Sequence, residues 1–251
     1  MIQSKTADPT WKKLYIAGGI AALLAVFVFR RNLGAELTLL EMMGILKVPP
    51  LPMLAADWIH LFQSNWLVGL TYLNFFDVIE YLLVGLLFLA LYGALRNTAK
   101  SAMLIATVLG LIGITVYMAS NQAFAMLALS QHYAAATTSA EQSNLLAAGE
   151  ALLAENNPGF LYQGTGIYLS LFLVLLAGLI ISIMMMRSRV FGKATAIMGI
   201  LANGIGLCYF LFLVFAPAAI WIPHSVSAPF RMIWYFLVAL RLFKLARESN
   251  L

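Results

Sequence analysis

"NFFDVIEYLLVGLLFLALYGALR", residues 74–96, decides the fold. The stretch is strongly apolar except near its start, where Asp77 and Glu80 stand. About 20 apolar residues suffice for a helix to cross the roughly 30 Å hydrocarbon core of a bilayer, so this run reads as a membrane span. An ionised carboxylate in hydrocarbon must find a partner or take up a proton. The two acids therefore pose the functional question of the whole chain.

The rest of the sequence calls for the same solvent. Of 251 residues, 63% are hydrophobic and 10% are charged, against roughly 25% charged in soluble domains. Mean hydropathy is +0.91. Six spans are predicted, at about 14–29, 73–95, 102–124, 164–186, 194–215 and 225–242. Each is helical, because an open strand in lipid leaves backbone polar groups unpaired. The expected fold is all-α: a polytopic membrane helix bundle, read as a single transmembrane domain over residues 1–251. The first span is short, about 24 Å at 1.5 Å per residue, so Lys13 and Arg30 would snorkel outward to lengthen it. Arg30 and Arg31 follow it at once and no small-residue cleavage site is seen, so it reads as a retained helix and not a signal peptide.

The basic residues set the orientation. Lys5, Lys12, Lys13, Arg96, Lys100, Arg187, Arg189, Lys193, Arg241, Lys244 and Arg247 fall on one side of the predicted spans. Arg30, Arg31 and Lys47 fall on the other, and Arg231 lies inside the sixth span. By the positive-inside rule both termini are cytoplasmic, and an even number of spans agrees. Nucleic acid is excluded as a partner, because no basic patch is interleaved with aromatics. Membrane lipids are the expected partners, and a homo-oligomer is compatible with the sequence.

Two outer segments look like amphipathic surface helices. Residues 34–46, "GAELTLLEMMGIL", stop at "VPPLP". Residues 139–154, "SAEQSNLLAAGEALLA", open on a capping-box pattern at Ser139 and Gln142, and "ENNPG" ends the helix. Leu145, Leu146, Leu152 and Leu153 fall on helical spacing.

Asp77, Glu80 and Tyr81 share a helix face. Glu80 lies about 24 Å of helix above Arg96, hence in the outer leaflet. Arg231 lies about 20 Å above Lys244, at a similar depth. It is the one basic residue well inside a predicted span, so it is the expected partner of Glu80. Such a pair either fixes span two against span six or forms a ligand, proton or ion site. Tyr117, Asn121 and Tyr168 gather at the same level, and if the third helix continues, His132 lies three turns beyond Asn121 on the same face. Asn203, the deepest uncharged polar side chain, is about 15 Å above Lys193 and suits an interhelical hydrogen bond. Gly204 and Gly206 beside it allow close approach.

His60, His132 and His224 all fall on the outer side and are weak candidate metal ligands, with no HExxH, HxxxH or Cys pair. Cys208 is the single cysteine, so no internal disulfide forms. No lysine lies within a span, which excludes a retinal-type Schiff base. No phosphate-cradling loop is present: "GTG" at 164–166 lacks the lysine. No cofactor is expected.

"YLLVGLLFLALYGALR", "AEQSNLLAAGEALLA", "AGLIISIMMMRSRVFGKATAIMGILANGIGL" and "IWYFLVALRLFKLAR" together resemble bacterial multi-span membrane proteins of the domain-of-unknown-function 4386 family. The likeness covers roughly residues 72–247. It implies a bacterial inner-membrane protein with a helical bundle, and it implies no substrate or catalytic residue.

The leading functional expectation is an outer-leaflet polar pocket for a small amphipathic or lipid-like ligand. Asp77, Glu80, Tyr81, Asn121, Tyr168 and Arg231 would line it, under a lid made from residues 139–154. The alternatives are an intramembrane metal-dependent hydrolase and a structural or regulatory membrane protein with no ligand. Nothing in the motifs requires an enzyme.

Overall fold

A computed structural model describes residues 9–29, 50–159 and 161–249. Among them no strand forms. The helices, in chain order, are α1 (Lys12–Phe29), α2 (Ala55–Ser64), α3 (Trp66–Tyr72), α4 (Phe75–Leu95), α5 (Lys100–Ser120), α6 (Ala123–Ala135), α7 (Ser139–Glu155), α8 (Thr165–Arg187), α9 (Lys193–Phe215) and α10 (Trp221–Glu248). Five described stretches are long and apolar enough to cross a membrane: Phe75–Leu95, Lys100–Ala135, Thr165–Arg187, Lys193–Phe215 and Pro217–Glu248. They correspond to the second to sixth predicted spans. The first of the two expected surface helices, residues 34–46, lies outside the described residues.

The chain divides into two compact units. Of the described residues, the first comprises 9–29, 80–114 and 171–249, the second 50–79, 115–159 and 161–170.

In the first unit α1 and α9 both pack along α10. The core includes Phe88, Leu91, Met103, Ile181, Trp234 and Leu242. On α4 the inward positions Val84, Leu87, Phe88 and Leu91 alternate with exposed Leu82, Leu86 and Leu89. That outward leucine stripe follows helical periodicity and suits an apolar surrounding. Small residues bring helices together: a Cβ on Gly18 of α1 would stand 2.2 Å from the Cβ of Ala90. Pro229 lies inside α10.

The second unit contains α2, α3, α6 and α7, with α2 packed against the other three. Trp58, Phe62, Leu73, Met126 and Leu153 form its core. The sequence predicts no helix between Ala55 and Tyr72, where α2 and α3 form. Yet Trp58, Ile59, Leu61 and Phe62 of α2 are buried, and Asn65 caps α3 by accepting from the Val68 N–H at 3.2 Å. The Leu54 N-cap of α2 has no side-chain cap of its own. Glu150 of α7 supplies one instead, its Oε1 accepting from the Ala55 N–H at 2.8 Å. Glu150→Ala is expected to destabilise this unit by about 1 kcal/mol, the ordinary worth of a cap. Unfolding in detergent with parallel Glu150→Gln and Glu150→Ala variants measures it, and Gln should retain part of the loss.

The helix predicted at 139–154 is α7, but its cap sits one residue earlier than expected. Thr138, with extended φ −121° and ψ 150°, is the N-cap, and Ser139 is already helical. Thr138 Oγ1 accepts from the Glu141 N–H at 3.2 Å. The Glu141 carboxylate in turn accepts from the N–H groups of Thr137 and Thr138 at 3.0 and 3.2 Å. Its leucines do not lie bare: Leu153 is buried, and Leu145, Leu146 and Leu152 pack on the unit's core. The backbone hydrogen bonds from Thr137 and Thr138 hold the Glu141 carboxyl below its ordinary value. A lowered folded value means that the cap contributes stability above the unfolded carboxylate range and loses it as pH falls through the folded one. Hydrogen-exchange protection in the first turn of α7 should therefore fall with acidification, and Glu141→Gln should abolish that dependence.

The predicted third span ran from 102 to 124, but α5 stops at Ser120. Asn121 turns the chain. Its Oδ1 accepts from the Ala123 N–H at 3.1 Å, and its Nδ2 donates to the carbonyls of Leu73 and Asn74 at 3.2 and 3.3 Å. His132 consequently stands on α6, a separate helix, so the condition that would carry it on the helix of Asn121 is not met.

Candidate functional site

In the first unit, α4 carries Glu80 and Tyr81 and α10 carries Arg231. All three line one cavity of about 40 Å³. Asn203 of α9 and Trp234 and Tyr235 of α10 complete its polar lining, and the remaining wall is aliphatic and aromatic. Glu80 is only 6% exposed. One acid and one base in the same chamber leave it formally neutral, the condition under which two ions tolerate burial. Tyr235 lies within electrostatic reach of Glu80, Arg231 and Tyr81, and His224, in the first turn of α10, lies within reach of Arg231.

Glycines make the berths that these side chains occupy. A Cβ on Gly206 would lie 3.3 Å from Arg231 Nη2, and one on Gly178 would lie 2.3 Å from Asn203 Oδ1. A Cβ on Gly199 would come within 2.2 Å of Ser182 Oγ and 2.6 Å of Trp234 Nε1. Gly204, expected to serve the same purpose, faces open space. The amide of Asn203 does not donate between helices as expected. Its Nδ2 donates at 2.8 Å to the Gly199 carbonyl of its own helix, one turn earlier.

The other predicted site residues belong to the second unit. Asp77, in the first turn of α4, accepts from the Tyr117 hydroxyl at 3.1 Å. Asn121 spends its amide on the turn described above. The Tyr168 hydroxyl donates to the Leu161 carbonyl and accepts from the Gln163 N–H at 3.2 Å. These three side chains thus have local structural partners, whereas Glu80, Tyr81 and Arg231 share a chamber.

His60 lines a different, open cavity of about 510 Å³ with Asp57, Ser64 and residues 50–53. His132 lies in the last turn of α6. Among the described residues no three His, Cys, Asp or Glu side chains gather as a metal site would require.

Asn203, Trp234 and Tyr235 were not among the expected site residues. The signal for the last two was present: Arg231, Trp234 and Tyr235 follow i, i+3, i+4 spacing, one face of a helix. Asn203 was noticed for its depth but not placed with the pair, because nothing in one sequence gives the rotation of α9 against α10.

No family model matches the chain, and no match is found among the curated proteins or the solved structures.

Proposed function

We propose that this chain is a multi-pass protein of a bacterial inner membrane, of the unknown-function family it resembles, that binds the polar end of a small amphipathic or lipid-like ligand at the Glu80–Arg231 chamber. In this reading α1 is the first of six spans: its 18 residues reach about 27 Å. Both termini face the cytoplasm, on the distribution of basic residues. The observation that carries the binding reading is that Glu80 and Arg231, from sequence-distant helices, line one buried chamber. An anionic headgroup competes with Glu80 for Arg231. When Glu80 takes a proton, the chamber is left with one positive charge and favours the anion.

The test is native mass spectrometry of the protein released from mixed phosphatidylglycerol and phosphatidylcholine. Wild type should retain phosphatidylglycerol preferentially, Glu80→Gln should retain more, and Glu80→Gln/Arg231→Gln should lose the preference. Equal retention by wild type and the double variant would reject the reading. The chamber's small volume favours a second reading, in which the two residues only clamp the fold and no ligand enters. That reading predicts no lipid preference in any variant. An intramembrane metal-dependent hydrolase gains no support from the placement of His60, His132 and His224.

A further inference from the structure

We infer that the open cavity beside α2 is a second binding site, and that it takes a small organic cation: an ammonium group on an apolar body. The cavity holds about 510 Å³, within the roughly 300–1,000 Å³ typical of small-molecule sites and far more than a bare metal ion fills. Its two walls differ in chemistry. Asp57, His60 and Ser64 stand on one face of α2, at i, i+3 and i+7. Residues 50–53, two of them proline, form the other wall with apolar side chains.

The polar groups of this lining suit a cation. Among the described residues Asp57 alone brings a formal charge to it, and the prolines at 50 and 52 have no N–H to offer an anion. Neutral His60 adds an acceptor nitrogen. The Ser64 hydroxyl donates to the Leu61 carbonyl at 3.1 Å, so its oxygen serves the cavity as an acceptor. Among the described residues neither Asp57 nor His60 is engaged in a hydrogen bond or ion pair, whereas the carboxylates of Asp77 and Glu150 are already spent. Both walls are fixed in place. Trp58, Ile59 and Phe62 of α2 are buried in the core, and Glu150 holds the Ala55 N–H. The Asn157 amide donates to the Met53 carbonyl at 3.3 Å. A site built before its ligand arrives loses little to ordering on binding. The inference goes beyond the chamber reading and stands without it, because every lining residue belongs to the second unit.

The test titrates para-trifluoromethylbenzylammonium against the full chain in a maltoside detergent, followed by fluorine NMR. The matching benzyl alcohol and benzoate are the neutral and anionic counterparts, and protein-free detergent corrects for partitioning. The ammonium signal should broaden saturably, and the alcohol and benzoate should bind more weakly. Asp57→Asn should weaken the ammonium by roughly fivefold, the upper range for a solvent-accessible ion pair. Leu51→Arg puts a positive charge in the apolar wall and should weaken it too, with Asp57 intact. Glu141→Gln removes an acid of the same unit outside the cavity and should leave the affinity unchanged. Tryptophan emission checks that each variant folds. Should Asp57→Asn fail to fold, Leu51→Arg decides by the same criterion. Broadening that does not saturate overturns the proposal. So does an alcohol bound as tightly as the ammonium, or an Asp57→Asn affinity equal to that of wild type. None of these results touches the lipid measurement on Glu80 and Arg231.

Discussion

Arg231→Met will destabilise the protein by about 3–5 kcal/mol, because it strands Glu80 as an uncompensated charge in a buried chamber. Glu80→Leu/Arg231→Met should recover most of that loss, since two well-packed apolar side chains of similar volume remove both desolvation costs at once. Glu80→Leu alone should also be costly, for the mirror reason. Denaturant unfolding in a single detergent, followed by tryptophan emission, gives the three values and their coupling. A coupling near zero would mean that the two ions are balanced by other groups and that the chamber is not organised around them. The lipid preference and the coupling answer different questions. A large coupling without lipid preference describes a clamp, and a large coupling with it describes a binding site.

Gly18→Val is expected to cost about 3 kcal/mol, at the upper end of the overpacking range. The contact is between fixed points. A Cβ at Gly18 would lie 2.2 Å from Ala90 Cβ and 3.3 Å from Leu242 Cδ1. Ala90 Cβ is attached directly to the backbone and has no rotamer to change. Carbon atoms pack at roughly 3.5–4.0 Å, so the helices must part by more than an ångström before any side chain fits. Gly204→Ala is the control. It is also a helix-interior glycine, but no atom lies within 4 Å of its added Cβ. There alanine should stabilise by up to about 1 kcal/mol through helix propensity alone. If both substitutions behave alike, close approach of α1 to α4 is not what Gly18 provides.

The helices long and apolar enough to cross a membrane were legible because length and apolar composition mark them without reference to tertiary contacts. Their ends were legible where charge marks them, as at Arg96 and Lys193. Where a side chain decides instead, the reading failed. Asn121 stops α5 with its own amide, and Thr138 rather than Ser139 caps α7, a choice between neighbouring hydroxyls that backbone conformation makes. The helices α2 and α3 were missed because each is short and lies among prolines and turns, and their stability comes from burial against α6 and α7. Of the candidate site, depth could be counted along each helix, and that put Glu80 and Arg231 at one level. The partners of Asp77, Asn121 and Tyr168 could not be counted that way. They are set by local backbone carbonyls, amides and one hydroxyl, which have no signature in residue order.

Pro229 gives α10 a mechanical character its neighbours lack. With no N–H to offer, it leaves the Ser225 carbonyl without its usual helical donor, and its ring crowds the preceding turn. The helix therefore lacks one rung of its backbone ladder two residues before the guanidinium, while Tyr235, Val238, Ala239 and Leu242 beyond it are buried in the core. The chamber residues of α10, Arg231, Trp234 and Tyr235, all follow this interruption.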